Sequence, residues 1–303
     1  SDPYLEFIEK VDYNGTTYSI YRNKTALPLG YLVEPSIKDW VPSQYNAFAS
    51  VDTLYSNLTG DYSELFTLAS VDTGYNSEDI ASLTGGVSFT IRPTNDNQEA
   101  VFEATITKSG QTFAFIDCRA AKNISLSTTG NSWNVSAHEP YIVNTGYLSQ
   151  GSVVTVNIRA EDVCSGNIYV GTLEQDVFKN AVEQFAAHPL IVSSHSDTRI
   201  TGTINAPKNG VVFTSIPFDG GWTVKVDGKK VETFAAANAM LVRSYMASVG
   251  AMSSSMARET RPGWSTHKRC ATRAPRSWAH SAKTLKPRRA ITSTWSCAIA
   301  RLL

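Results

Sequence analysis

No run of about eighteen apolar residues occurs in the 303-residue sequence, so no segment reads as a membrane-spanning helix. The chain opens on Ser1-Asp2-Pro3 with no start methionine and no signal-peptide pattern, and the expectation is a piece of something longer. Of the four cysteines, Cys118, Cys164, Cys270 and Cys297, none stands at Cys-x-x-Cys or Cys/His ligand spacing, which argues against a zinc site. Cys118 and Cys164 can pair in an oxidising compartment, and two buried thiols fit the sequence equally well. His188 and His195 lack a carboxylate or cysteine at ligand spacing and read as structural. A Gly-x-Ser-x-Gly elbow, a phosphate loop and a dinucleotide glycine pattern are all missing, as is any strand–helix–strand rhythm. Adjacent carboxylates such as Glu161-Asp162 sit in strand-like sequence and point to opposite faces, so they cannot flank one glycosidic bond from that strand alone. The residues imply no independent catalytic centre, no metal and no cofactor.

Acidic residues are scarce at one end only. From Arg243 onward there are twelve Lys/Arg and a single acid, Glu259, against fifteen basic and twenty-six acidic residues before it. The overall charge of zero therefore hides a body near −11 and a tail near +11. The tail shows no helix or sheet period. One reading is a basic tail for nucleic acid or anionic lipid; the other is a sequence out of its reading frame. Five Asn-x-Ser/Thr sequons, at Asn14, Asn23, Asn57, Asn123 and Asn134, are what chance gives in so Ser/Thr/Asn-rich a chain.

What is abundant is β pattern. Tyr4 to Tyr21 reads as a hairpin turning at Asn14-Gly15. A helix follows from about Ser43, as its cap, to Leu58, with an apolar stripe of Phe48, Val51, Leu54, Tyr55 and Leu58 and Gly60 at its end. Between Phe66 and Gly171, runs such as Val87–Ile91, Val101–Ile106, Phe113–Ile116 and Val153–Ile158 alternate between turns, as in a β-sandwich or jelly roll. A second helix spans Leu173 to Ala187 and stops at His188-Pro189. The stretch Phe213–Val231 organises the rest, with a strand ending at Pro217, a turn at Asp219-Gly220-Gly221 and a strand placing Trp222, Val224 and Val226 on one face. A hairpin turn at Asp227-Gly228 follows.

The fold expected is mainly β: a sandwich or jelly-roll-like domain plus a small β-hairpin module, with two amphipathic helices. Its divisions fall at 1–65 (hairpin and helix), 66–172 (sandwich), 173–190 (connector helix), 191–242 (small β-module) and 243–303 (aberrant basic tail, frameshifted or disordered). Aromatic rings beside polar turns can stack on sugars, which makes Trp222 with Asp219, Tyr31 and Trp40 the candidate binding residues. Against each aromatic stands the favoured reading, a core anchor at a strand end.

The segment Ser215-Ile-Pro-Phe-Asp-Gly-Gly-Trp-Thr-Val-Lys-Val-Asp-Gly-Lys229 resembles a characteristic stretch of the YfhO family of bacterial multi-pass membrane proteins. A second resemblance lies at Leu27-Pro-Leu-Gly-Tyr31, followed by a helix ending in Leu58-Thr59-Gly60. The two together cover about residues 18 to 242. The resemblance implies the extracytoplasmic region of a glycosyltransferase in the bacterial cell membrane. Such an enzyme uses a lipid-linked sugar to decorate envelope polymers such as teichoic acids. It implies partners in the membrane part of the same protein, an envelope polysaccharide or a lipid-linked sugar, and no nucleic acid. It implies a membrane-proximal subdomain near the N-terminal hairpin, and a catalytic carboxylate in an early loop outside this sequence. It also implies a further strand pair, a Pro-Gly motif and a membrane span after Leu241, where reading one base earlier lets Arg261-Pro262-Gly263-Trp264 encode Pro-Gly-Leu. A frameshift near Leu241–Arg243 is the expectation. The reading from a different class is a secreted carbohydrate-binding or adhesion sandwich.

Overall fold

The computed structural model describes residues 4–43, 46–75, 78–83, 86–94, 98–218, 221–236, 240–245 and 250–258. The chain begins with a hairpin, β1 (Leu5–Tyr13) and β2 (Thr16–Asn23). Its turn residues Asn14 and Gly15 both have positive φ, 50° and 75°, the conformation that closes a two-residue hairpin without splaying its strands. Strand β3 (Gly30–Val33), a 3-10 turn (Pro35–Asp39) and helix α1 (Ala47–Thr59) follow. The N-cap of α1 is Asn46, whose Oδ1 accepts from the Ala49 N–H at 3.0 Å. The expected cap, Ser43, lies a turn too early; its own backbone N–H donates to Ser50 Oγ at 2.8 Å instead. Gly60 ends the helix in the left-handed conformation at φ 76°, as its position predicted.

The sandwich runs through β4 (Phe66–Leu68), β5 (Ser70–Tyr75), β6 (Glu78–Leu83), β7 (Gly86–Ile91), β8 (Glu99–Thr105), β9 (Gly110–Asp117) and β10 (Asn123–Thr128). It continues through β11 (Asn131–Val135), β12 (Val143–Leu148), β13 (Val153–Arg159) and β14 (Cys164–Leu173). One sheet has the order β11-β10-β13-β8-β5 and the other β12-β9-β14-β7-β6, with β4 on β14. Every pairing is antiparallel. Period-two alternation sends Phe89, Phe102, Ile124 and Val156 into the space between the sheets. Strands β9 and β14 are buried on both faces. Ala114, Ile116, Ile168 and Val170 join that inner core, while Phe113, Phe115, Tyr169 and Leu173 face the other way.

That outward apolar face of the second sheet is what the helices cover. Phe48 of α1 and Phe178 and Phe185 of α2 (Gln175–Ala187) pack on it with Phe66 and Tyr31. Leu173, expected at the start of the second helix, is instead the last residue of β14. Burying each such aromatic contributes about 2–3 kcal/mol against leaving it in water.

The remaining strands are β15 (Ile191–His195), β16 (Arg199–Ala206), β17 (Gly210–Pro217), β18 (Trp222–Val226), β19 (Lys229–Val231), β20 (Phe234–Ala236), β21 (Met240–Tyr245) and β22 (Gly250–Arg258). They form two sheets, β15-β16-β22-β18-β19 and β20-β21-β17-β3. A third core of Leu32, Leu190, Ile204, Val212, Ile216, Val224 and Val226 joins them. Strand β3 reaches this module from the N-terminal part of the chain, with Val33, Leu32, Tyr31 and Gly30 opposite Val211, Val212, Phe213 and Thr214. The two motifs quoted above, far apart in sequence, thus meet at the end of this pairing, where the Ser215 N–H donates to Leu29 O at 3.0 Å. Where no sheet period is readable in the sequence, the backbone of β22 runs between β16 and β18.

Candidate functional site

Tyr31 sits in β3 and is 4% exposed. Its ring stacks on Phe185 with centroids 4.9 Å apart and meets Phe213 at 5.7 Å. Burial pushes its phenol well above the ordinary tyrosine range. Trp40 closes the 3-10 turn; it is 8% exposed, and its Nε1–H donates to Thr53 Oγ1 at 3.0 Å. Both belong to the core beneath the helices, and neither presents a free ring face. They are anchors because β3 and the 3-10 turn send these two rings inward, onto Phe185, Phe213 and Thr53, while Lys38, Asp39 and Val41 of the same segment stay exposed.

Trp222, the first residue of β18, is half-buried against the third core. Phe218, a few residues earlier, is 38% exposed. Asp219 lies outside the described residues. Of the four candidates, Trp222 alone is both described and partly open to solvent.

The β18–β19 hairpin carries a feature that sequence reading passed over. Asp227 and Gly228 have φ 46° and 78°, and this two-residue turn sets Lys225 directly opposite Lys230 and Val226 opposite Lys229. Lys225, Lys229 and Lys230 are all exposed. Like charges directly opposite on one face repel, so the arrangement costs stability. The signal was available, since the Asp-Gly turn fixes the register and the register fixes the pair. Alternation places Lys225 and Lys230 on the face away from Trp222, Val224 and Val226, so the ring and the ammonium groups address opposite sides.

Cys118 and Cys164 form a disulfide, with Cα atoms 6.9 Å apart. The bridge is buried at the end of the sandwich core, beside Ile91 and Ile116. Elsewhere, Asp52 on α1 accepts a hydrogen bond from the Leu65 N–H at 2.9 Å. Desolvation raises its carboxyl to about 6, against the opposing effect of that bond. Tyr55 Oη donates to Asp61 beyond the end of the same helix. These carboxylates hold a loop in place, and each has its acceptor oxygen committed to a neighbour. Among the described residues no group of three or more His, Cys, Asp or Glu is placed to hold a metal ion. His188 ends α2 and His195 ends β15.

A family model described as "Bacterial membrane protein YfhO" matches residues 4–243. No curated protein matches the chain. Among solved structures, a conserved protein of unknown function from Pseudomonas aeruginosa PAO1 overlays with 11% identity and a TM-score of 0.17, over 63% of this chain and 93% of that one. Vicilin from hazelnut, Corylus avellana, does so at 7% identity and 0.17, over 62% and 86%. A cupin 2 conserved barrel domain protein from Leptotrichia buccalis gives 12% and 0.14, over 59% and 91%. Overlays this poor carry neither topology nor function to this chain. Among the described residues no helix is long and apolar enough to cross a membrane.

Proposed function

This chain belongs to the YfhO family of bacterial membrane proteins, and from that premise we propose that it is the extracytoplasmic domain of a protein that glycosylates a cell-envelope polymer from a lipid-linked sugar. The observation that carries the placement is the Cys118–Cys164 disulfide. Such bonds persist on the oxidising side of a membrane and are rare in a reducing cytosol.

The glycosylation role is supported by the Lys225–Lys230 pair. Teichoic-acid-type polymers are polyanions, and a cationic ribbon concentrates them at its surface without reading their sequence. In this reading the domain collects the acceptor polymer and presents it to the membrane part. Trp222 is the residue proposed to stack on a sugar ring from the other side of the hairpin. No residue here is assigned a bond-making role; that chemistry belongs to the carboxylate that the family resemblance implies outside this sequence.

The test has two arms. Tyr62 is 86% exposed, so a Tyr62→Cys variant of the membrane-borne protein should react with a membrane-impermeant maleimide on intact protoplasts. Labelling only after permeabilisation would sink the placement. Deleting the coding region for residues 4–243 should remove a sugar from hydrolysed envelope polymer, and an unchanged sugar content would sink the role.

A further inference from the structure

Among the described residues, strands β1 and β2 form a ribbon that pairs with no other sheet. An isolated two-stranded hairpin is marginally stable in water. This one nevertheless exposes eight large apolar side chains, each between 39% and 64% open to solvent. It is fastened at its base, where the Tyr4 ring meets Phe178 edge-on at 5.4 Å and the Lys24 N–H donates to Tyr4 O at 2.9 Å.

The register sorts the outer half of the ribbon into two unlike faces. Tyr13 opposes Thr16, Val11 opposes Tyr18 and Glu9 opposes Ile20, so Val11, Tyr13, Tyr18 and Ile20 share one face, with Thr16 at its tip and Glu9 at its base. On the other face Lys10 opposes Ser19 and Asp12 opposes Thr17, whose Oγ1 donates to Asp12 Oδ1. An apolar face this ordered, exposed on a projecting element, marks a contact surface.

We propose that this face rests in the headgroup layer of the bilayer that the family inhabits. The inference uses family membership alone and is independent of the glycosylation role. Tyrosine suits that layer because its ring is apolar and its hydroxyl seeks water. The strand edges carry unpaired N–H and C=O groups, which forbids deeper entry into hydrocarbon. A second copy adding edge to edge is disfavoured by the bulge between Phe7 and Glu9 and by the charged Glu9 and Lys10 beside it. Glu6, Glu9 and Asp12 nearly balance Lys10 and Arg22, so the attachment is apolar and resists salt.

The experiment is flotation of the full chain with vesicles of phosphatidylethanolamine and phosphatidylglycerol, at low salt and at high salt. The wild-type chain should float in both. The Tyr18→Ser/Ile20→Ser variant should lose about tenfold in partitioning, whereas Ser19→Ala, on the opposite face, should float like wild type. These side chains are exposed, so circular dichroism should report an unchanged fold for all three. Flotation abolished by salt would overturn the proposal and assign lipid binding to the basic tail. Equal flotation of both variants, or none by the wild-type chain, would overturn it as well. So would a lipid-free dimer that Tyr18→Ser/Ile20→Ser disperses, which would make a second copy the occupant. Vesicle binding does not report on sugar transfer, so this outcome and that of the envelope assay are read separately.

Discussion

Tyr31 and Phe213 face each other across β3 and β17, with ring centroids 5.7 Å apart. Tyr31 closes one of the two motifs that carry the family resemblance and Phe213 lies two residues before the other, so the contact helps to bring the motifs together. Leu29 extends it, since its carbonyl accepts from the Ser215 N–H at 3.0 Å. The N-terminal segment is therefore a structural strand of the C-terminal module. Tyr31→Ala removes a ring stacked on both Phe185 and Phe213, and a loss of about 3–5 kcal/mol is expected. Tyr31→Phe keeps the ring and should cost about 1 kcal/mol or less. Urea denaturation decides the matter. A stable Tyr31→Ala that had lost only sugar binding would return Tyr31 to the list of binding residues.

Asp52 makes stability depend on pH in a direction opposite to the usual carboxylate. Its folded pKa, about 6, lies above the ordinary value of 3.8 because burial disfavours the charged form. The folded state then binds more protons than the unfolded state between those values, so stability falls as pH rises through that window. Asp52→Asn leaves an oxygen to accept from the Leu65 N–H and removes the charge. It should stabilise the protein at pH 7 by about 1 kcal/mol, allowing for solvent screening at a half-buried site. Near pH 4 the variant and the wild type should melt together. Thermal melts across that range check it, and a variant less stable than wild type at pH 7 would refute it.

How far the fold was readable depends on the range of the interaction. Asn14-Gly15 and Asp227-Gly228 specify their hairpins within two residues, and both turns adopt positive φ. The alternation of Val87–Ile91 and Val153–Ile158 marks two sandwich strands because one face of each strand meets the core. The cap was missed by a few residues, since Ser43 and Asn46 are both good caps and only the packing of Ala47 and Phe48 sets where α1 begins. The β3–β17 pairing has no local signature. For the same reason Tyr31 and Trp40 read alike as surface or core aromatics; what buries them is α2 and α1, contributed by other parts of the chain. Cysteine spacing is silent on whether Cys118 and Cys164 meet, because β9 and β14 bring them together.

The strongest departure from sequence logic lies in β22. Its register sets Ser253, Ser254 and Ser255 opposite Thr203, Gly202 and Thr201, in a strand flanked on both sides. Such central positions favour β-branched and aromatic residues, and Gly250–Arg258 offers none. The family match ends at residue 243, where the charge of the chain also changes sign. Read one base earlier, the codons of Met252-Ser253-Ser254 permit His-Val-Val, which would supply valines to the middle of the sheet. Resequencing across the codons for Phe234 to Trp264 is therefore expected to reveal an extra or missing base near Leu241–Arg243. The chain expressed in the restored frame should melt higher than the present one, because valines in a central strand stabilise the sheet that serines weaken. An intact frame would refute this, and the basic stretch after Arg243 would then stand as an authentic tail, with its single acid among twelve Lys/Arg.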